Sequence, residues 1–556
     1  NIKMDKREIV KYFLDREILL SPDFLNSVTG EINVEEFYRD ISKKLKDKPA
    51  VFNEDLVINK EISMDIDWKE LEKIRVRFEK GEEMQIFNQQ ANIGETQIQN
   101  SDNSILIQKY NLSETNHTAS EDHAGVIIVK SYQDTKDMKR SVNSFVNYFK
   151  TRYESVKKLL LNRQEMQDTI SIARASRKQS GEKVAIIGMV LDKAETKNGN
   201  IKIKLEDTSG EMEIIITKKK EETYDAAKDI VLDETIGITG VTGEGILFCN
   251  SIYLPDIPIS HELKKSRDEA YAVFISDIHF GIKNFLKDDF MKFIMWLKGE
   301  YGTEKQKEVA RKVKYLFVVG DVVEGVGIYP GQEGDLEIKD IYQQYEEATK
   351  YFKMIPQRIR IIICGGNHDA MRVSEPQPVF DPEISKGFYD LPNMVIVSNP
   401  AVVNIHSSDD FPGFDVLMYH GYSFPYFSDT VNSIREKGGL SRCDLIMKFL
   451  LQRRHLAPSH GSNLYIPFDD QDPLFIEKVP DIFVSGHIHQ IAAGNYRNVS
   501  LINSSCWVVQ SEDNAKRGIV PNPARIPIIN LKTREVKLMN FLSDDVKVLY
   551  NERTEN

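Results

Sequence analysis

The sequence predicts a multidomain protein: a small all-α N-terminal unit, a small closed β-barrel and a large α/β layered domain. Three observations carry this. At 556 residues the chain is too long for one hydrophobic core. Residues 182–257 alternate apolar and polar positions in five short runs separated by tight turns, a barrel pattern. From residue 268 to 545 apolar strands alternate with helical stretches, the signature of a layered α/β domain.

Composition limits the function classes. Apolar residues make up 41% and charged residues 28%, as in a globular chain. No apolar run approaches the roughly 18 residues of a membrane helix, and no secretory leader opens the chain. A cytoplasmic protein without a membrane partner is expected. The four cysteines, Cys249, Cys364, Cys443 and Cys506, form no CxxC pair, which fits a reduced interior better than a disulfide scaffold. The net charge of −12 argues against a general electrostatic grip on nucleic acid, leaving room for a local basic face or a basic partner.

Residues 1–48 read as the helical N-terminal module: "KREIVKYFLDREILL" and "NVEEFYRDISKKL" place apolar side chains at helical spacing. Residues 49–136 are polar and rich in Asn and Gln, and read as a low-complexity linker with room for one short ordered piece. Residues 137–180 form a basic amphipathic connector. Over 139–178, ten Lys/Arg stand against three Asp/Glu, with Phe145, Tyr148, Phe149 and Tyr153 on the stripe. A nucleic-acid face is one reading; an aromatic stripe packed on the next domain is the weightier one. Residues 181–260 read as an OB-fold barrel, with turns at "KNGN" and "DTSGE". Such barrels bind single strands, but many serve only as interaction scaffolds.

The large domain, 268–550, holds the chemistry. Five apolar strands each end in residues able to bind a metal. "AYAVFIS" runs into Asp277-Ile278-His279, and "KYLFVVG" into Asp321-Val322-Val323-Glu324. "RIIIC" precedes Gly365-Gly366-Asn367-His368-Asp369, "DVLMY" precedes His420, and "DIFVSG" precedes His487-Ile488-His489. Open α/β sheets place ligand sites at the carboxyl ends of their strands, so residues more than 200 positions apart can share one crevice. Carboxylate, amide oxygen and imidazole suit Mn²⁺, Fe²⁺ or Zn²⁺. Glycines before Asp321, Asn367 and His487 permit unusual backbone angles and close approach. Each motif alone is weak, because Asp at a strand end is more often a turn residue and an isolated H-x-H is more often accidental. Five in order, holding five of the chain's 11 histidines, are hard to attribute to chance. His117, His123, His261 and His406 lack that context and read as ordinary.

This ordered set, over about residues 271–510, resembles the calcineurin-like metallophosphoesterase superfamily, which includes the nuclease of double-strand-break repair. The resemblance implies a two-sheet α/β sandwich and two divalent metal ions, with Mn²⁺ the first expectation. It implies one metal on Asp277, His279 and His489, another on Asn367, His420 and His487, and Asp321 between them. His368 then faces the substrate; Asp369 and Glu324 are candidates to orient the imidazoles, with a purely structural hydrogen bond the equal alternative. Glu324 departs from the Asp or Asn more usual there. With the helical unit and barrel upstream, "GDVVEGVGIYPGQE", "GGNHDAMR" and "RRHLAPSHG" resemble the small subunits of archaeal family D DNA polymerases.

That resemblance implies a 3′→5′ proofreading exonuclease acting on single-stranded DNA ends. It also implies a separate large catalytic polymerase subunit as partner and a nucleoid-associated location. Two other classes stay open: a non-catalytic accessory subunit, and a phosphatase on the same fold. The complete ligand set opposes the first, and the upstream domains oppose the second. Arg453, Arg454, His455 and His460 are candidates for DNA or subunit contact, although a positive helix C-terminus explains the first three equally well.

Overall fold

The computed structural model describes residues 19–20, 51–52, 125–132, 141–509 and 521–543. The chain divides into two compact units, 1–104 and 105–556. In the first, β1 (Leu19–Leu20) and β2 (Val51–Phe52) pair in parallel. The all-α unit expected over 1–48 otherwise lies outside the described residues.

The second unit opens with β3 (Val126–Lys130), a short ordered piece within the expected linker. Next come the helix Val142–Leu161 and a closed barrel of β4 (Lys183–Glu195), β5 (Ile201–Asp207), β6 (Gly210–Ile216), β7 (Thr235–Thr242) and β8 (Ile246–Tyr253), ordered β4-β5-β6-β8-β7. Its period-2 pattern is what the sequence displays: Ile201, Ile203 and Leu205 point inward with Met212, Ile214 and Ile216. Outside, Lys202 pairs with Glu213 at 2.8 Å.

The remaining strands form two six-stranded sheets. The first contains β9 (Tyr271–Ile275), β10 (Val313–Val319), β11 (Arg360–Cys364), β12 (Met394–Ile396), β18 (Arg525–Asn530) and β19 (Val536–Asn540), ordered β12-β11-β10-β9-β18-β19. The second contains β13 (Ala401–Ile405), β14 (Phe414–Met418), β15 (Ile482–Ser485), β16 (Ala492–Tyr496), β17 (Val499–Asn503) and β3, ordered β16-β17-β15-β14-β13-β3. Residues 126–130 therefore belong to the α/β domain, pairing antiparallel with β13.

The central strands of each sheet are buried on both faces, which is why they read as continuous apolar runs. In β9, Ala272 and Phe274 enter the layer between the sheets, where Tyr315, Phe317, Val416, Met418 and Val484 meet them. Tyr271, Val273 and Ile275 face the other way, onto helices Lys287–Lys298 and Ile341–Phe352. Helix Cys443–Arg453 covers the outer face of the second sheet through Ile446, Met447 and Leu450. At about 25 cal/mol per Å², each such side chain contributes roughly 1.5–3 kcal/mol, holding the strand ends rigidly beside one another.

The helix Val142–Leu161 packs its aromatic stripe, as the weightier reading expects. Tyr148, Tyr153, Val156 and Leu160 are buried. The Arg152 guanidinium donates to Asp472 at 2.7 Å and to the Pro458 carbonyl at 3.0 Å.

Candidate metal centre

The five strand ends converge at the seam between the sheets. Backbone bonds set their spacing: Asp277 N–H donates to the Gly320 carbonyl at 3.0 Å, and Gly486 N–H donates to the His420 carbonyl at 2.9 Å. At five site residues the backbone turns left-handed: Asp277 (φ 50°), His279 (57°), Asp321 (50°), His487 (70°) and His489 (56°). Residues with a Cβ rarely adopt this conformation, at about 1–3 kcal/mol each, and tight surroundings are needed to hold it. Three glycines make room. Gly320 has φ +83°, and a Cβ on Gly366 would collide with Asp321 and His420. A Cβ on Gly486 would lie 2.7 Å from Asp277 Oδ2.

All eight sequence candidates meet here. Potential ligand atoms of seven of them form three tight groups: Asp277–His279–His489, Asp321–His420–His487 and His279–Asp321–His368. His279 Nε2 faces His489 Nε2 at 3.2 Å, and His489 Nε2 lies 3.3 Å from Asp277 Oδ1. In the other half, His420 Nε2 stands 3.2 Å from both Asn367 Oδ1 and Asp321 Oδ2.

The remaining ring nitrogens show which tautomer each imidazole adopts. His420 Nδ1 lies 2.8 Å from the Val319 carbonyl, and His368 Nδ1 lies 2.9 Å from the Glu324 carbonyl. A carbonyl only accepts, so both Nδ1 atoms carry a proton and Nε2 is the atom each ring turns into the site. His279 Nδ1 sits 2.8 Å from the Glu324 carboxylate, a carboxylate–imidazole pair of the kind that supports metal-ligating histidines. The donors therefore fit divalent metal ions. They offer facing lone-pair nitrogens and nearly buried carboxylates at separations that only an intervening cation or a proton reconciles.

Electrostatics agree. Burial opposes ionisation of Asp321, yet the His420 and His368 imidazoles outweigh it and hold the carboxyl well below the usual range. Burial, reinforced by His420, brings His487 down to about 3, keeping it in the neutral, ligating form. Asp369 differs: burial and the Asp321 charge push it up to about 7. It accepts from Gly366 N–H at 2.9 Å and from Val322 N–H at 3.2 Å, and so shapes the loop that presents Asn367 and His368.

Arg453, Arg454 and His455 require a correction. They turn inward and are nearly buried within this chain. Arg453 pairs with the barrel residue Glu234 at 2.6 Å, Arg454 donates to the Ile476 carbonyl at 2.9 Å, and His455 meets Asp472 at 2.7 Å. Only His460 of the four is exposed. The sequence reading also missed neighbours of the site. Ser276 bonds Asp277, Gln332 donates to the Glu324 carboxylate at 2.9 Å, and the Tyr329 and Tyr422 rings lie beside His368 and His487. None of them sits in a spacing that marks it.

This fold and site define a calcineurin-like phosphoesterase domain, and residues 271–491 match that family. Relatives called DNA polymerase II small subunit extend the likeness. That of Methanothermobacter thermautotrophicus is 39% identical over 401 residues, 72% of this chain and 80% of the relative. That of Archaeoglobus fulgidus is 39% identical over 401 residues, 72% and 78%. That of Pyrococcus furiosus is 38% identical over 407 residues, 72% of this chain but 64% of the longer relative. The chain belongs to the DNA polymerase II small-subunit family.

Proposed function

We propose that this chain is the small subunit of a two-subunit archaeal replicative polymerase, with a large catalytic subunit as partner, and that it removes nucleotides from single-stranded 3′ DNA ends. The observation carrying this reading is the convergence of Asp277, His279, Asp321, Asn367, His368, His420, His487 and His489 from five strand ends. A subunit serving only as scaffold has no need for strained backbone at five of them. The barrel order, first-second-third-fifth-fourth, supports the OB reading and a role alongside nucleic acid or partner.

Two divalent ions, Mn²⁺ the first expectation and Fe²⁺ or Zn²⁺ the alternatives, would polarise the phosphate and lower the pKa of the attacking water. Asp277, His279 and His489 would hold one; Asn367, His420 and His487 the other, with Asp321 between. The chain's own part follows. His368, with Nδ1–H tied to the Glu324 carbonyl, presents Nε2 to the substrate. Protonated there, it gives its proton to the departing 3′ oxygen as water adds to phosphorus and the P–O3′ bond breaks. A positioned acid is worth about 10²–10⁴-fold. Glu324 holds the His279 ring, and Asp369 holds the Asn367–His368 loop.

The test is 5′-labelled single-stranded DNA with Mn²⁺, the full chain alone and with its large subunit. Wild type shortens the DNA stepwise, and Asp321→Ala and His368→Ala lose this by at least ~100-fold. Undiminished shortening by both variants sinks the site assignment. No shortening with any metal favours the scaffold reading, and rapid turnover of an aryl phosphate monoester with DNA untouched favours a phosphatase.

A further inference from the structure

The loop after β10 is built as a rigid wall beside the site. Gln332 Nε2 donates to the Glu324 carbonyl at 3.1 Å and its carboxylate at 2.9 Å, while Gln332 Oε1 accepts Ile328 N–H at 2.9 Å. Gln344 brackets Gly325, accepting its N–H at 2.9 Å and donating to its carbonyl at 3.1 Å. Lys283 fastens the far end through its N–H to the Asp335 carbonyl at 3.0 Å and its Nζ to the Gly334 carbonyl at 2.6 Å. Gln332 and Gln344 are fully committed to this scaffold and buried.

What the wall displays is apolar. Val326 is 47% exposed and Ile328 39% exposed. Tyr329 places its ring centroid 6.5 Å from that of His368, tilted by 60°, with its hydroxyl held between Asp335, at 3.1 Å, and the Glu324 carboxylate. A well-held loop carrying a half-buried aromatic ring beside the imidazole that meets the substrate matches what single-stranded nucleic acid uses: a flat face for a base. The other half of the site has its own ring, Tyr422, 5.5 Å from His487. Ring contacts run Tyr329–His368–His279–His489 on one side and Tyr422–His487–His420 on the other, so each half ends in a tyrosine.

We propose that Tyr329 stacks on the base of the penultimate nucleotide, the one whose 3′ oxygen departs. This rests on the exonuclease reading above and sharpens it. His368 serves the departing oxygen, so the nucleotide bearing that oxygen lies on the His368 side, where Tyr329 stands. Val326 and Ile328 extend the apolar wall. The inference explains why Gln332 and Gln344 are buried to hold residues 325–332, which contribute no metal ligand. Tyr329 is thus a positioning residue that selects an unpaired strand, because a base held in a duplex keeps its own stacking partners.

The experiment uses the full chain with Mn²⁺ and three oligonucleotides: one intact, one abasic at the penultimate position and one abasic at the terminal position. The readout is kcat/KM for the first cleavage, as a ratio between substrates on one preparation, so that a partly unfolded variant does not distort it. Wild type favours the intact strand over the penultimate-abasic strand by about tenfold, the scale of one stacked base. Tyr329→Ala brings that ratio near one and leaves the terminal-abasic ratio where it was; Tyr329→Phe restores it. A penultimate ratio unchanged in Tyr329→Ala overturns the assignment, as does an equal loss on all three strands. Failure of wild type to shorten any of them overturns the exonuclease reading and the stacking assignment with it. Shortening with an undisturbed ratio overturns the stacking alone.

Discussion

Glu324 holds two imidazoles at once, His279 through its carboxylate at 2.8 Å and His368 through its carbonyl at 2.9 Å. Loss of such an outer partner weakens metal binding by about 10–100-fold. Glu324→Ala is therefore expected to raise the Mn²⁺ dissociation constant into that range in a calorimetric titration, while Glu324→Gln keeps a hydrogen-bonding partner and loses less. Gly366→Ala tests the close approach at Asp321. The added Cβ displaces two ligands, and a shift of about 1 Å costs roughly 100-fold in rate; an unimpaired variant would contradict the packing. His455 offers a test by pH. Its Nδ1 accepts Ala457 N–H at 2.9 Å and its Nε2–H points at Asp472, so the ring is held neutral, and burial followed by the Arg152 charge brings it down to about 4. The unfolded ring takes a proton near its usual 6.5 while the folded ring does not, so stability falls as pH drops from about 6.5 to 4, by about 3 kcal/mol from this residue. Urea midpoints across that window should flatten in His455→Gln relative to wild type.

At the scale of elements, strand ends were the readable feature. β9, β10, β11, β14 and β15 are buried on both faces, so each shows as an unbroken apolar run whose first polar residues mark the crevice. The glycines at 320, 366 and 486 were readable for the same reason. Left-handed backbone at Asp277 or His489 was not, because it follows from neighbours distant in sequence. The helix Val142–Leu161 was visible in its 3.6-residue period, but its anchor, Asp472, lies 320 residues on from Arg152. Arg453, Arg454 and His455 misled because a basic helix end looks alike whether water or a carboxylate receives it. Arg152 is nearly buried against Asp472, and removing one partner of a buried pair costs about 3–5 kcal/mol. Arg152→Ala should lose stability on that scale in urea, whereas Arg152→Lys keeps the charge without the fork and recovers only part.

Across the molecule, barrel and phosphoesterase domain are bolted together. Arg453 reaches Glu234, Asp256 N–H donates to the Gln452 carbonyl at 2.9 Å, and Tyr496 donates to Asp256 at 2.9 Å. Val231 and Ile257 from the barrel side enter the core beneath helix Cys443–Arg453. One calorimetric transition is expected for the pair, and Arg453→Ala, which strands Glu234 in the interior, should split it or lower it by several degrees. A wild-type thermogram with two separated peaks would refute the coupling.

β3 has a further consequence, for biosynthesis. It closes the second sheet from the far side of the barrel, and its partner β13 is about 270 residues downstream. A ribosome adding ~5–20 residues per second needs tens of seconds to cover that distance. Through that interval Val126–Lys130 is a nascent apolar segment with its main-chain groups unclaimed, open to adhesion with other emerging chains. The barrel, by contrast, is complete in sequence and can fold as soon as it leaves the exit tunnel. By this order of synthesis the barrel is complete well before the seam at β3–β13 can close.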